Sequence, residues 1–394
     1  MLKSAYEKAF AKVNFGLNVL PKREDGFHNI ESIFQTIDLY DELFVDIRED
    51  EQCIIECDAL ELPKKNTLTV SYEAFCEIAG LNVPGINVKL VKGIPSGGGL
   101  GGGSSDAAAL VRALQKICGI KLSSFQLDYI ANKTGSDVFF FMNCDDEGKG
   151  CALVSGRGEV VKNIVPRKDL FLLLIFPELS SSTKEAYALV DEYLMKKNKV
   201  KGPGLLQLED VYNSNVKKWN FINTFTTVLS EKYKQIEAAL SDLDKVGSEY
   251  VEMSGSGSTV YGVTTLEQQA INSFNLLADM WNCKIVRVVW FYWFYGGWGM
   301  QITELRIRKV EDEGKLRAYV TITFDNCFVV HNVKIIEGKT GLFIAMPSRK
   351  TANGDYKDVA HPISPEFRTE LQDKILAEYN AGHVEVGNGD SADD

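Results

Sequence analysis

The sequence predicts an α/β protein followed by a small α+β domain, and three observations predict it. A strand, a glycine loop and an alanine-rich helix follow one another directly between Ile86 and Leu114. From Met300 onwards, segments alternate at period two and end in one amphipathic helix. Between these regions the composition breaks at Trp290–Gly299, where every residue is aromatic or glycine. At 394 residues the chain is also long for one core, since domains run at roughly 100–200 residues.

Composition narrows the class. Hydrophobic residues make up 45% and charged residues 25%, an ordinary globular balance. The most apolar run, Val286–Tyr295, contains Arg287 and has about half of the ~20 residues that a spanning helix needs. The N-terminus, MLKSAYEKAF, lacks the apolar core of a secretory signal. The eight cysteines are scattered with no CxxC pair, so reduced thiols in the cytoplasm are expected rather than a disulfide framework or a zinc knuckle. A net charge of −11 argues against a chain that coats nucleic acid along its whole length, but leaves room for a local basic face. Residues 381–394 form an acidic tail without apolar periodicity, expected to be disordered.

The first element, Ala9–Val19, alternates as a strand and puts Lys12 and Asn14 on one face. A lysine inside an apolar strand is either a solvent-facing edge residue or a functional cation. Next comes Asp25-Gly26-Phe27-His28, a turn followed by an aromatic ring and an imidazole; no other histidine precedes residue 331. Such a pair can stack on a base and hydrogen-bond its edge, or simply pack the turn. The strand Ile86–Leu90 leads into Pro95-Ser96-Gly97-Gly98-Gly99-Leu100-Gly101-Gly102-Gly103-Ser104-Ser105-Asp106, and Ala107–Leu114 favours a helix. Glycines let the backbone curl and turn its N–H groups inward, and the following helix adds the positive end of its dipole, so this is an anion cradle. It is neither a Walker A loop nor a dinucleotide fingerprint. Ser104, Ser105 and Asp106 stand where helix caps belong. Further on, Asp137 precedes the apolar run Val138–Phe141, as an N-cap or as a buried base. Small residues from Ser254 to Ser258 lead into the strand Val260–Val263.

These motifs in this order resemble the GHMP kinases, the family of galacto-, homoserine, mevalonate and phosphomevalonate kinases. PSGGGLGGGSSDAAA is similar to that family's phosphate loop. The resemblance implies a two-lobed fold, a ribosomal protein S5-like N-terminal lobe over residues 1–160 and a ferredoxin-like C-terminal lobe over 161–289. It implies that Pro95 through Ser105 cradle ATP, and that Mg²⁺ accompanies it with Ser104 or Ser105 as the ligand on offer. Asp137 becomes the catalytic base, with Lys12 by the attacking hydroxyl and the transferring phosphate. Ser254, Gly255, Ser256 and Gly257 close over phosphates and substrate. Phosphoryl transfer suits such a site, because it needs positioning and charge neutralisation more than covalent help.

Arg23-Glu24-Asp25-Gly26-Phe27-His28 is similar to one branch of the family, the 4-diphosphocytidyl-2-C-methyl-D-erythritol kinases of the non-mevalonate isoprenoid route. This implies a cytidine-linked alcohol as substrate, phosphorylated at its 2-hydroxyl and held by Asn14, Phe27, His28 and Tyr187. Phe27 and Tyr187 would sandwich the cytosine. The resemblance spans about Ala5 to Val289 and departs at Asn223–Thr226 and at Phe139. Another GHMP alcohol kinase stays open, as does a regulator in which the kinase part is only a scaffold.

In the second domain, Gln301–Val310, Leu316–Phe324, Cys327–Ile336 and Gly341–Pro347 read as strands. Ser364 and Pro365 start a helix with Phe367, Leu371, Ile375, Leu376 and Tyr379 as its apolar stripe. GLFIAMPSRKTANGDYKDVAHPI closely resembles the signature of the SpoVG septation proteins, over residues 300–380. The resemblance implies a homodimer with a role in septation and sporulation, and DNA or RNA as a partner through Arg349, Lys350 and Lys357. A solvated charged loop is an equal reading of those three residues.

Overall fold

The computed structural model describes residues 2–57, 59–80, 82–177, 179, 182–196, 202–289, 302–310, 314–324, 328–338, 341–350, 354, 356–362 and 365–381. The aromatic junction, the acidic tail from residue 382 and Ser364 lie outside the described residues. Two compact units divide the chain, Met1–Phe291 and Tyr292–Asp394.

In the first unit, β1 (Ser4–Lys22) and β2 (His28–Ile47) form a long antiparallel pair joined by the Asp25-Gly26 turn. β1 is nearly twice as long as its alternation suggested. Its middle is buried on both faces, from Ala9 to Val19, so the period-two contrast marks only part of it. β3 (Cys53–Cys57), the helix α1 (Thr67–Ile78) and β4 (Ile86–Val91) follow. The helix α2 (Gly102–Cys118) begins inside the glycine run. Gly101 adopts φ +73° as its cap, and Ser105 N donates to Gly101 O at 2.9 Å. Ser104–Asp106 therefore lie within its first turns rather than at the cap position. Glycine's left-handed φ closes the turn earlier than a serine cap would.

α3 (Ser124–Thr134), α4 (Ser136–Met142), β5 (Cys151–Ser155) and β6 (Val160–Asn163) complete the first lobe. Its sheet runs β3-β4-β2-β5-β6, with β1 also paired to β2. The second lobe starts at β7 (Phe171–Ile175). It continues through α5 (Thr183–Met195), α6 (Leu205–Asn213), α7 (Thr224–Lys232) and α8 (Lys234–Lys245) to β8 (Tyr250–Met253) and β9 (Val260–Thr264). It ends with α9 (Glu267–Leu277) and β10 (Cys283–Arg287). The sheet order β10-β7-β9-β8 is the split β-α-β pattern of ferredoxin-like folds. The lobes share one core: Phe15 and Ile33 of the first sheet pack with Leu172 and Tyr261 of the second. Leu17 N also donates to Ile222 O at 2.9 Å.

The second unit is a meander of β11 (Ile302–Lys309), β12 (Leu316–Phe324), β13 (Phe328–Gly338) and β14 (Gly341–Ala345). A ribbon of β15 (Ser348–Lys350) and β16 (Tyr356–Asp358) follows, then α10 (Pro365–Asn380). Ala318, Val320, Ile322 and Phe324 face one way along β12 and are buried with Leu371 and Ile375 of α10. Leu371→Ala is expected to destabilise this unit by about 2–5 kcal/mol, because it empties a filled core position. Hydrogen exchange in the intact chain would report it as faster exchange along β12. Among the described residues no helix is long and apolar enough to cross a membrane.

Candidate active site

A cavity of about 580 Å³ opens where β1, the glycine loop, the first turn of α4, the start of α5 and the loop between β8 and β9 meet. Its floor is backbone. Lys12 N donates to Leu100 O at 2.9 Å, fixing the loop against β1. A Cβ on Gly101 would lie 3.0 Å from the Phe141 ring and 3.2 Å from Lys12 Cε, crowding the lysine stem, and the φ of +73° itself favours glycine. Residues Pro95 through Ser104 all line the cavity; Ser105 does not. The Ser105 hydroxyl donates to Phe10 O at 2.7 Å and is buried, tying α2 to β1. Consecutive helical residues point about 100° apart, which sends the two serines to different surroundings.

Lys12 is almost fully buried. Its ammonium donates to Asn14 Oδ1 at 2.7 Å and Gly99 O at 3.0 Å, lies 3.5 Å from Asp137 Oδ2, and sits 4.9 Å from the Phe34 ring centre. Burial pulls its pKa below the usual lysine value, and the neighbouring Asp137 charge opposes that pull. Asn14 Nδ2 donates to Ser32 Oγ at 3.1 Å, which leaves its carbonyl for Lys12. Asp137 is one-third exposed, in the first turn of α4, where the helix dipole favours a carboxylate.

The second glycine loop locks onto the first. Ser254 is fully buried, and its hydroxyl donates to Gly99 O at 3.1 Å. Thr259 N donates to Gly98 O at 3.2 Å. Gly255, Ser256 and Gly257 line the cavity; Ser254 does not. Asn223 steers this loop from beneath, its Nδ2 donating to Met253 O at 2.9 Å and Gly255 O at 2.7 Å. The neighbouring departures from the family string are built into the same scaffold. Thr224 Oγ1 accepts from Val19 N at 3.0 Å, and Thr226 donates to Glu252, whose carboxyl burial pushes up to about 7. Phe139 is buried in α4.

Two charged residues without a sequence motif, Asp41 and Lys92, join Asp106 here. Asp41 Oδ1 accepts from Gly93 N at 2.7 Å and Ile94 N at 2.8 Å, and Lys92 bridges Asp41 to Asp106, the latter at 3.0 Å. This buried cluster ties the entrance of the glycine loop to the helix that follows it. Burial, with Asp41 nearby, pushes the Asp106 carboxyl up to about 8 against the pull of Lys92. Its signal in the sequence is only a single charge on either side of the glycine run.

The expected base-binding residues are divided. Tyr187 lines the cavity, and burial pushes its hydroxyl up to about 12, with the Asp137 charge adding. His28 lies behind it, ring stacked on ring at 5.0 Å and 23°, and does not line the cavity. Phe225 meets Tyr187 edge-on at 4.9 Å. Phe27 departs from the expected sandwich with Tyr187. It is 53% exposed, lies 4.9 Å from the Arg157 guanidinium, and lines a smaller cavity of about 200 Å³ that shares only Ser136 with the first. The turn causes this: Asp25 Oδ1 accepts Phe27 N at 3.1 Å, and Phe27 O accepts Arg23 N at 2.7 Å, so the ring is carried outward.

Among the described residues no group of three or more His, Cys, Asp or Glu could hold a metal. Asp106 and Asp137 are the carboxylates on the cavity wall, with the Ser104 hydroxyl nearby. That sparse set fits Mg²⁺, which keeps waters and takes most of its ligands from phosphates, and does not fit an all-protein cage. In the second unit, Arg349, Lys350 and Lys357 are all exposed on the β15–β16 ribbon, with Arg349 directly opposite Lys357.

An anion cradle at a helix N-terminus, with a buried lysine beside a part-exposed aspartate and a ferredoxin-like second sheet, defines the class as a GHMP-type phosphotransferase. Residues 66–144 match the family model for the GHMP kinases N terminal domain, and residues 300–381 match that for SpoVG. The chain belongs to the 4-diphosphocytidyl-2-C-methyl-D-erythritol kinase family. It is 35% identical over 294 residues to the kinase of that name from Treponema pallidum (strain Nichols), covering 73% of this chain and 99% of the relative. It is 34% identical to that from Thermodesulfovibrio yellowstonii, covering 72% and 97%. A crystal structure of 4-(cytidine 5'-diphospho)-2C-methyl-D-erythritol kinase superposes with a TM-score of 0.58 at 25% identity, covering 73% of this chain and all of that one. Homoserine kinase from Cytophaga hutchinsonii shares the fold, with a TM-score of 0.55 at 18% identity over 73% of this chain and 96% of that one.

Proposed function

We propose that the chain transfers the γ-phosphoryl group of ATP to the 2-hydroxyl of 4-diphosphocytidyl-2-C-methyl-D-erythritol, in the cytoplasm. One observation carries this reading: Lys12 and Asp137 lie 3.5 Å apart at the edge of the glycine loop. Asp137 accepts the proton of the attacking hydroxyl as the oxygen approaches phosphorus. Lys12 keeps that carboxylate oriented and offsets charge developing between nucleophile and phosphate. The N-terminus of α2 and the loop amides take the phosphate oxygens. Mg²⁺, when bound, supplies further neutralisation there, and Ser104 is the side chain that would hold it. Ser256 and Gly257 cover the site. Tyr187 offers the cytosine a ring face, and His28 backs that ring from behind. ADP release coupled to NADH oxidation, with and without the cytidine-linked alcohol, tests the reading. Release that does not depend on that alcohol would sink it.

For the second unit we propose pairing with a second copy and binding of DNA or RNA along the basic ribbon. Three exposed cations on two short paired strands support it, because such contacts address phosphates. Arg349→Glu with Lys357→Glu is expected to weaken binding to labelled single-stranded DNA at least tenfold and to flatten its salt dependence. Unchanged binding would assign the ribbon to solvent.

A further inference from the structure

Glu252 stands next to last in β8, just before the strand gives way to the second glycine loop, and it is 6% exposed. Its two oxygens are divided between two stretches of backbone. Oε1 accepts from Met253 N at 2.9 Å and from the Thr226 hydroxyl, and Oε2 accepts from Asn223 N at 3.0 Å. Tyr250 also hydrogen-bonds to it. Among the described residues none of these partners is a cation. Tyr250 and Tyr261 are the titratable groups that face it, and burial holds both hydroxyls well above the ordinary tyrosine value, so they stay neutral. A buried carboxylate without a cation is costly to the fold, and the reaction outlined above gives Glu252 no part.

We infer that Glu252 is a positioning residue: as a carboxylate it clamps the backbone of Met253 and Asn223, and so sets the grip of the second glycine loop on the nucleotide. This rests on the kinase reading, in which that loop covers the phosphates. Asn223 passes the effect on. Glu252 holds its backbone, and its Nδ2 holds Met253 O at 2.9 Å and Gly255 O at 2.7 Å. Gly255 lines the cavity, and Ser254 beside it bonds Gly99 of the first loop. Only a carboxylate accepts on both oxygens at once. An amide of the same shape has one acceptor, so either Met253 N or Asn223 N would face an NH₂ group and lose its partner. A protonated carboxyl keeps the shape but loses the charge that makes such hydrogen bonds roughly twice as strong. Burial pushes the Glu252 carboxyl up to about 7, against the pull of the Thr226 hydroxyl and the two backbone donors, so the clamp gains its charge near neutrality.

Two measurements test this. Labelling the full chain with carbonyl-¹³C serine and ¹⁵N glycine selects its Ser-Gly pairs, which end in Gly97, Gly156, Gly255 and Gly257. In wild type the amide signals of Gly255 and Gly257 are expected to titrate together with a midpoint near pH 7. In Glu252→Gln that titration should vanish. Signals that stand still in wild type, or that move alike in Glu252→Gln, overturn the inference. Thr226→Val covers the case in which Glu252→Gln fails to fold. It removes one donor to the charged form and does not touch the cavity wall, so the midpoint should rise. A midpoint that stays put or falls counts against the clamp.

The second measurement is the affinity for a fluorescent ATP analogue with Mg²⁺ in excess. Wild type is expected to bind about fivefold or more tightly at about pH 8 than at about pH 6, because the charge-assisted bonds of the clamp form only at the higher pH. Glu252→Gln should bind weakly at both, with less than about a twofold change, and should raise KM for ATP far more than it lowers kcat, since Lys12 and Asp137 are untouched. If Glu252→Gln keeps the pH dependence of wild type, the residue is structural only and the inference fails. If wild type binds no ATP, the kinase reading fails, and the glycine signals still decide what Glu252 does to the loop.

Discussion

Asp137→Asn is expected to lower kcat by about 10³-fold, near the middle of the range for positioned acid–base groups. Asparagine keeps the shape of the side chain and its place in the first turn of α4, so the fold should be unaffected. What it removes is the capacity to take a proton 3.5 Å from the Lys12 ammonium. It also leaves Lys12 buried without the charge that opposes its desolvation. No contact to the nucleotide is removed, so KM for ATP is expected to change little while kcat falls steeply. Steady-state kinetics at saturating cytidine-linked alcohol separates the two. A kcat within tenfold of wild type would place the proton acceptor elsewhere.

The second large effect belongs to Gly99→Ala. An alanine Cβ there would stand 2.1 Å from Ser254 O, backbone against backbone, and the residue has φ +74°. No side-chain movement relieves such an overlap, and the left-handed backbone adds a cost of roughly 1 kcal/mol or more for a non-glycine residue. The two glycine loops must separate, and with them the cradle loses its shape. Nucleotide affinity is expected to fall by at least about 10²-fold, since a small displacement of a positioning element carries that cost. Titration with a fluorescent ATP analogue would measure it. Gly97→Ala makes the control: a Cβ there meets nothing within 4 Å, so it bears the backbone strain without the collision. Equal losses in both variants would show that the interlock between the loops is not what shapes the site.

The parts of the site legible in the sequence are those with a local physical signature. Glycines between a strand and an alanine-rich helix can hardly be anything but a backbone turn onto an anion. A lysine in an apolar strand stands out because burial is costly for it, and the structure brings it to Asp137 across more than a hundred residues. What was not legible depends on distance in space. Asp41 sits in the middle of an ordinary strand and becomes a loop anchor only because β2 runs under Gly93 and Ile94. Asp191 reads as one more charge on an amphipathic helix until α5 is laid against His28. Phe27 was misplaced for the opposite reason. Its chemistry suits a base and the turn before it is legible, but the direction in which that turn carries the ring, toward Arg157, is not. In the fold, the split order of the second sheet is interrupted by four helices between β7 and β8, and the ladder closes only in three dimensions.

Ser254, Gly255 and Thr259 reach across from one lobe to grip Gly98 and Gly99 of the other. Nucleotide and alcohol therefore rest on surfaces that cannot shift separately. Any change that one ligand makes in the affinity for the other must, by thermodynamic reciprocity, be returned to the same degree.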